Sequence, residues 1–324
     1  MGRRNKRQRA KRLSFFHSSQ SMECNLNFLS RLQWRLRNYF YEDPILKDFV
    51  DDPYFWSGQK IRAKICLSVG KSFGLEEDLL LDIAAFTDLL HNASLIHDDL
   101  IDDDAERRGY ATPWKKYGKD KALLLGDLLI AKSLTVSAGV NADSDVKAAW
   151  ASEISNCVTS AVRGAFKELN FLSQASDDII SNYTEMSRDK TGVMFALPAR
   201  CVAIVARKNQ ICLDSITDIF TNMAIAYQIR DDQADYFGIK KGRKNLSDLK
   251  NNRPNIYYLL ENSSTYEGSH QEFIEEFQKD RIEKALDLAK LHIPEMSDFF
   301  SAVIIPFITL DSPIQSSKKL LSNS

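Results

Sequence analysis

Apolar residues recur every three or four positions over most of the chain from about residue 26 onward, with short polar breaks between the periodic segments. This spacing is that of the buried face of an α-helix. The acidic residues 76–78 follow Gly74 and predict the start of a long helix that reaches the aspartates near residue 104. A second long helix is predicted from Asp214 to about Tyr236, before Gly238. No segment shows the alternation of a convincing strand.

Glycine and proline are scarce, which agrees with the helical pattern. The 324 residues include 13 glycines and 8 prolines, about half the share of an average domain. So few turn residues disfavour a sandwich, a barrel or a Rossmann sheet. The sequence has no internal repeat, and we predict one all-α domain over residues 23–324.

The near-neutral net charge of −1 hides an uneven distribution. Residues 1–22 carry seven basic side chains and no acidic one, which leaves 36 basic and 44 acidic residues, a net charge of −8, on the rest of the chain. We predict that this arm is disordered. It could be a solvated tail, an organelle transit peptide, an arm for nucleic acid or an anionic membrane, or an untranslated extension with Met22 as the true start. No nucleic-acid partner is expected, because the arm lacks interleaved aromatic residues.

The cysteines and the longest apolar run indicate the cellular setting. Five scattered cysteines, never in a C-x-x-C pair, favour buried free thiols in a reducing compartment over disulfides or zinc. We therefore expect a cytoplasmic protein, with organelle targeting by the arm left open. The most apolar run, 122–140, is interrupted by Asp127 and Lys132, so no transmembrane segment is expected.

Two D-D-x-x-D sets carry the strongest chemical signal: the first aspartate set, 98–102, and the second aspartate set, 231–235. Asp98 and Asp102 are four residues apart and share a helix face, where like charges oppose each other and the helix dipole prefers cations. Each set ends an apolar helix, so the two sets can face one another across a bundle. Opposed carboxylates suit Mg²⁺, which completes its octahedron with water and phosphate oxygens.

Basic residues surround both sets and predict a diphosphate ligand. They comprise Arg107, Arg108, Lys190, Lys240, Lys241, Arg243, Lys244 and Arg253. Arginine binds phosphate through paired hydrogen bonds, and lysine binds it as a point charge. The sequence has no P-loop glycine pattern, so we expect metal and side chains to hold the diphosphate.

Segments 97–109, HDDLIDDDAERRG, and 228–235, QIRDDQAD, resemble the two aspartate-rich motifs of the trans-isoprenyl (polyprenyl) diphosphate synthases. GDLLIA (126–131), DKTG (189–192) and SDLKNNRPN (247–255) match further family segments in the same order, so the resemblance covers about residues 55–255. It implies an all-helical bundle of the isoprenoid synthase type around a deep central cavity, usually homodimeric. It also implies an enzyme that condenses isopentenyl diphosphate with an allylic diphosphate by ionisation, condensation and elimination.

The resemblance implies a role for individual residues. The principal ligands of three Mg²⁺ ions would be Asp98, Asp102 and Asp231, supported by Asp99, Asp232 and Asp235. The cationic clamp on the allylic diphosphate would comprise Arg107, Lys190 and either Lys241 or Lys244, in a site also lined by Thr191 and Gln228. The pocket for isopentenyl diphosphate would contain Arg62, His91 and Arg108.

One position departs from the family pattern. The family segment G-G-K-R-x-R-P appears here as S-G-Q-K-I-R-A, so Gln59 replaces the lysine that usually binds isopentenyl diphosphate. Lys60 is adjacent, but one step along a helix turns a side chain by about 100°. We expect weaker affinity for isopentenyl diphosphate, or a partner subunit that supplies the missing charge.

The residues before the first aspartate set bear on product length. Ala93 and Ser94 are small where bulky aromatic residues stop elongation at farnesyl in the family. Phe86 lies seven residues earlier and about 10 Å deeper; it is either the floor of the cavity or an ordinary core residue. We expect a geranylgeranyl or longer product. A farnesyl diphosphate synthase and a weakly active or regulatory subunit of a heteromeric synthase stay open, whereas the complete second aspartate set disfavours a terpene cyclase.

Overall fold

The computed structural model describes residues 27–171, 178–239, 251, 253–263 and 269–309. These residues are helical nearly throughout, which confirms the all-α prediction. The predictions for the basic arm, for Met22 and for Lys241 and Lys244 lie outside the described residues.

The helices follow one another along the chain with short connections. The first are α1 (27–39), α2 (Pro44–Asp51), α3 (Pro53–Trp56), α4 (Ile61–Ser72) and α5 (Glu77–Ile101). After a hairpin come α6 (Pro113–Tyr117), α7 (Lys119–Gly139), α8 (Ser144–Asn170), α9 (Ile179–Ser187), a π turn (Arg188–Gly192), α10 (Val193–Val205) and α11 (Gln210–Tyr236). The described C-terminal residues form α12 (Ile256–Glu261), α13 (His270–His292), a 3₁₀ turn (Pro294–Met296) and α14 (297–308), which contains a π turn (Phe300–Ile304).

The prediction that no strand is present is wrong at one place. Two-residue strands β1 (Glu106–Arg107) and β2 (Tyr110–Ala111) pair antiparallel directly after the first aspartate set. Arg108 and Gly109 between them have φ angles of 53° and 85°. Such left-handed conformations make a tight two-residue turn. The charged sequence of this segment does not predict a hairpin. The hairpin follows α5 and places Arg107 and Arg108 near the aspartates.

The two long helices begin and end close to their predicted positions. α5 ends at Ile101, three residues earlier than the aspartate run suggests, and Asp103 just beyond it adopts a left-handed φ of 53°. α11 begins four residues before Asp214 because the Asn209 side chain caps it by accepting a hydrogen bond from the Cys212 amide. Both aspartate sets therefore lie at helix C-termini, as the pattern predicts.

α5 is the central helix and packs against α4, α7 and α10. No transmembrane segment is expected from the interrupted apolar run. By length and composition alone, however, two described helices, α5 and α7, could cross a membrane. Of the most apolar 18-residue stretch of α5, 72% is buried inside the protein, whereas of that of α7 only 39% is buried. Buried core helices pass the same test, so α5 needs no membrane, whereas α7 leaves an apolar face uncovered.

Candidate active site

A cavity of about 520 Å³ lies among α4, α5, α8, α10 and α11 and receives side chains from both aspartate sets. Asp98 and Asp102 line it from the end of α5, and Asp231 lines it from the end of α11. The part of the cavity next to the middle of α5 is lined mainly by apolar side chains, among them Leu90, Ala93 and Val158, and we call it the apolar channel. The predicted meeting of the two sets across a bundle therefore occurs in this fold.

Asp99 of the first aspartate set does not line the cavity. Its side chain is fully buried, its Oδ2 accepts a hydrogen bond from the Tyr54 hydroxyl at 2.7 Å, and its Oδ1 lies 2.6 Å from Arg107 Nη2. The step of about 100° between neighbouring helix residues separates Asp99 from Asp98. Asp99 thus supports the site by holding Arg107 at the cavity wall, and this carboxylate keeps the pKa of the Arg107 guanidinium raised although burial alone would lower it.

The second aspartate set divides in the same way. Asp231 lines the cavity, whereas Asp232 and Asp235 are buried and are absent from its lining. Asp232 accepts hydrogen bonds from the Tyr183 hydroxyl, the Gln228 amide group and the Ile256 backbone amide at 2.8–2.9 Å. Three of the six predicted aspartates therefore face the cavity, and the metal role of all six stays a prediction.

Two cations neutralise the cavity-facing carboxylates of α5. Lys190 Nζ lies 3.5 Å from Asp98 Oδ1 and 2.5 Å from Glu168 Oε2, while Arg253 pairs with Asp102 and lies 3.8 Å from the same Glu168 oxygen. Burial lowers the pKa of Lys190, but the carboxylates of Asp98 and Glu168 outweigh it and raise the pKa above its ordinary value. These carboxylates therefore favour the charged form of Lys190 in the cavity.

Glu168 is a cavity residue that the sequence analysis misses. It lies near the end of α8, four residues after Gly164, and a Cβ on Gly164 would come within 2.4 Å of the Lys190 backbone nitrogen. The glycine therefore lets α8 approach the π turn that carries Lys190. A glycine and an acid four residues apart on one helix face are the only sequence signal for Glu168, and that signal is weak.

The chemistry of the cavity-facing carboxylates fits Mg²⁺. Among the described residues, no three His, Cys, Asp or Glu side chains lie close enough together to enclose a metal ion by themselves. Mg²⁺ does not require such a cage, because it takes one or two carboxylates and completes its shell with water and phosphate oxygens. Asp98, Asp102 and Asp231, which face one cavity from two helices, supply the hard oxygen donors that this ion prefers.

Thr191 and Gln228 line the cavity beside Lys190, as the resemblance implies. The Thr191 hydroxyl lies 3.5 Å from the Gln228 carbonyl oxygen, and the Gln228 amide group donates to Asp232 at 2.9 Å. These contacts fix the amide orientation and leave Thr191 at the wall of the predicted allylic site.

The three residues of the predicted isopentenyl diphosphate pocket also line the cavity. Arg62 donates to the Met194 carbonyl at 3.0 Å and stacks over the Phe195 ring, and burial lowers the pKa of Arg62 to about 10. Burial also lowers the pKa of His91 well below its usual value, so the imidazole is neutral. Arg108 donates to the Ser57 carbonyl at 2.6 Å. The pocket therefore presents two cations and one neutral imidazole.

Lys60 does not occupy the helical position that the sequence analysis assumes. It precedes α4 with a left-handed φ of 49°, so the rotation of about 100° per helix residue does not apply to it. Its ammonium group donates to Asp88 at 2.7 Å and to the Phe55 carbonyl at 2.6 Å, and it lies over the Phe55 and Trp56 rings. Lys60 and Gln59 both line the cavity, but the ammonium group of Lys60 is already paired with Asp88.

Ala93 and Ser94 line the apolar channel, and of the two alternatives for Phe86 the packing favours an ordinary core residue. Phe86 is fully buried, lies outside the cavity lining and packs its ring 5.5 Å from that of Trp150. Trp150 is itself fixed by a hydrogen bond to the Cys201 carbonyl. The Phe86 ring thus packs in the core against Trp150, and any influence of Phe86 on product length stays a prediction.

Comparisons with known proteins agree with this architecture. Residues 43–291 match the family profile of polyprenyl synthetases. The chain is 26% identical over 273 residues to the short chain isoprenyl diphosphate synthase of Methanocaldococcus jannaschii, which covers 82% of each chain.

Solved structures share the fold. The geranylgeranyl pyrophosphate synthetase of Geoglobus acetivorans superposes with a TM-score of 0.76 and 19% identity, over 91% of this chain and all of that one. The geranyltransferase of Helicobacter pylori, solved with magnesium and isoprenyl diphosphate, superposes with a TM-score of 0.71 and 18% identity, over 89% of this chain and 98% of that one. With the family match spanning most of its length, the chain belongs to the polyprenyl synthetase family of prenyltransferases.

Proposed function

We propose that this protein is a Mg²⁺-dependent trans-prenyltransferase that condenses isopentenyl diphosphate with an allylic diphosphate. The main support is that Asp98, Asp102 and Asp231 line one cavity together with Lys190. The same cavity includes the apolar channel. The Helicobacter pylori relative holds magnesium and isoprenyl diphosphate in the same fold. The cavity-facing aspartates would hold Mg²⁺ ions, three of them by the family resemblance. Cytoplasmic localisation stays a prediction.

The chain's own residues suit each step of this reaction. When bound, Mg²⁺ stabilises the negative charge on the departing pyrophosphate. Lys190 and Arg107 add fixed positive charges at the same end of the cavity and so favour cleavage of the C1–O bond. The isopentenyl double bond then attacks the allylic C1 cation, a C–C bond forms, and a proton is lost to the pyrophosphate. The apolar channel excludes water from the cation.

The experiment that tests this function supplies Mg²⁺, isopentenyl diphosphate and one allylic primer at a time, and then sizes the products. We expect dimethylallyl, geranyl or farnesyl diphosphate to be extended to products of twenty carbons or more. Primers recovered unchanged at every Mg²⁺ concentration would contradict the proposal.

Ala93 gives a prediction about the length of the product. Because Ala93 lines the apolar channel and is buried, a phenylalanine at this position would fill the channel that receives the growing chain. We expect Ala93→Phe to shorten the main product to farnesyl diphosphate, measured by chromatography of the dephosphorylated products. The matched control is Ala302→Phe in the π turn of α14, an exposed alanine outside both the cavity lining and the faces of α7 and α8. An unchanged product length in Ala93→Phe would contradict the proposed path of the chain.

Gln59 gives a second prediction. Lys60 is bound to Asp88 and its aromatic neighbours, so it does not replace the positive charge that position 59 lacks. We expect Gln59→Lys to lower the KM for isopentenyl diphosphate about tenfold. One added charged contact contributes about 1.4 kcal/mol, which corresponds to this factor. The KM for the allylic primer should not change. If KM stays the same, Gln59 does not weaken the site; if the wild-type protein is inactive and Gln59→Lys is active, the regulatory-subunit alternative gains support.

We also propose a homodimer formed through the uncovered faces of α7 and α8. Apolar side chains are exposed there, with 66% of Leu124 and 63% of Phe166 accessible. Phe166 also lines the cavity, so a second copy would close the channel wall. Exposed apolar area of this kind is typical of an interaction surface.

Leu124 tests the dimer because it is exposed and lies outside the cavity lining. We expect Leu124→Lys to halve the native mass measured by light scattering at micromolar concentration, since a lysine in an apolar interface loses its hydration. The matched control is Leu291→Lys on α13, where the leucine is 74% exposed and the mass should not change. A Leu124→Lys protein with the wild-type dimer mass would contradict the proposed interface.

A further inference from the structure

Glu168 lies at the centre of an alternating row of charges. Its Oε2 accepts a hydrogen bond from Lys190 at 2.5 Å and lies 3.8 Å from Arg253 Nη1. Lys190 in turn approaches Asp98, and Arg253 pairs with Asp102. The row thus runs from one cavity-facing aspartate to the other through two cations, and among the described residues Glu168 is the one carboxylate that lies within 4 Å of both cations.

The packing of α8 fixes the position of Glu168. Only 15% of its side chain is exposed. One turn earlier, Gly164 lets α8 contact the backbone of the π turn at Lys190, and the adjacent Lys167 bonds to Asp189 at 2.6 Å and to Glu185 at 2.7 Å. These three contacts attach the end of α8 to α9 and to the π turn that carries Lys190, so Glu168 is held against the Lys190 ammonium group.

The two cations have competing partners. Asp98 and Asp102 are the carboxylates that would receive Mg²⁺, yet Lys190 and Arg253 already neutralise them. A cation that shares its charge with a third carboxylate binds each aspartate less strongly than one that has no alternative partner. Lys190 is in fact closer to Glu168, at 2.5 Å, than to Asp98, at 3.5 Å.

We propose that Glu168 is a positioning residue that draws Lys190 and Arg253 away from Asp98 and Asp102 and so leaves these aspartates available to Mg²⁺. When the metal and the diphosphate bind, both cations can turn from the aspartates to the diphosphate without leaving Glu168. This inference rests on the proposed function, because it assumes that the aspartates bind Mg²⁺.

The test measures binding of inorganic pyrophosphate by calorimetry at a series of Mg²⁺ concentrations. With Glu168→Gln, the cations lose their shared carboxylate and pair more closely with the aspartates. We expect the Mg²⁺ concentration for half-maximal pyrophosphate binding to rise about tenfold, while the affinity at saturating Mg²⁺ stays the same or improves. Glu168→Asp, which keeps the charge on a shorter side chain, should restore part of the wild-type Mg²⁺ requirement.

Glu153→Gln is the matched control. Glu153 is also on α8, is 18% exposed, and pairs with Arg200 through two contacts of 2.6 Å outside the cavity lining. We expect this variant to unfold at a lower temperature with the wild-type Mg²⁺ requirement. A Glu168→Gln protein that behaves in the same way would overturn the inference, because the role of Glu168 would then be structural. A wild-type protein that binds no pyrophosphate at any Mg²⁺ concentration would instead overturn the proposed function.

Discussion

Replacing Asp98 with asparagine is expected to lower kcat by about 10³-fold and to leave the free energy of unfolding almost unchanged. The Asp98 carboxylate faces the cavity and would hold Mg²⁺, and a metal that stabilises a departing diphosphate contributes several kcal/mol, of which about 4 kcal/mol corresponds to this factor. Stability should not suffer, since the variant removes one of several like charges at a helix C-terminus and Lys190 keeps Glu168 as its partner.

The measurement is pyrophosphate release at saturating concentrations of both substrates, together with thermal unfolding. Asp103→Asn is the matched control, because Asp103 belongs to the same acidic run but is 65% exposed, pairs with Lys119 and lies outside the cavity lining. Its activity should stay within about twofold of the wild type. An Asp98→Asn protein that keeps more than a tenth of the wild-type kcat would argue against a metal at this carboxylate.

Replacing the neighbouring Asp99 is expected to act mainly on stability. Asp99 is fully buried and pairs with Arg107, of which only 14% of the side chain is exposed. Removing one partner of a buried ion pair leaves an uncompensated charge, and such changes lower the free energy of unfolding by about 3–5 kcal/mol. For a chain of this size we expect Tm to fall by about 10 °C in Asp99→Asn.

Parallel measurements distinguish the proposed metal-binding role of Asp98 from the structural role of Asp99. They compare the thermal unfolding and activity of Asp98→Asn, Asp99→Asn and Asp103→Asn. We expect only Asp99→Asn to unfold early, and only Asp98→Asn to lose nearly all activity at a temperature where every variant is folded. Equal Tm values for Asp99→Asn and the wild type would show that the Asp99–Arg107 pair contributes little, and would contradict the support that this pair gives to the cavity wall.

The helices and the two aspartate sets could be predicted because their signals are local. The 3.6-residue periodicity of α5 and α11 places both sets at helix ends without knowledge of any neighbour. The sequence could not show which aspartates face the cavity, because that depends on how each helix is rotated against the others. Asp98 and Asp99 differ by one step of the chain, yet one lines the cavity and the other is buried against Tyr54.

Other parts of the site depend on contacts between distant segments. Glu168 belongs to a long polar helix and acquires its place only because Gly164 lets α8 touch the π turn. Phe86 has the spacing of a channel floor, but its ring is buried in contact with that of Trp150. Lys60 adopts a left-handed conformation that nothing in its sequence neighbourhood requires. Tertiary packing therefore determines the positions of these three side chains, which periodicity and motifs could not predict.

We propose that the paired aspartates support Mg²⁺-dependent transfer of a prenyl group from one diphosphate to another. The decisive measurement is pyrophosphate release over a range of Mg²⁺ concentrations, with both substrates present and with each omitted in turn. We expect release only when Mg²⁺, isopentenyl diphosphate and an allylic diphosphate are all present, with one pyrophosphate for every C–C bond formed. Release at the same rate without isopentenyl diphosphate would indicate hydrolysis or cyclisation of the allylic substrate and would contradict this account.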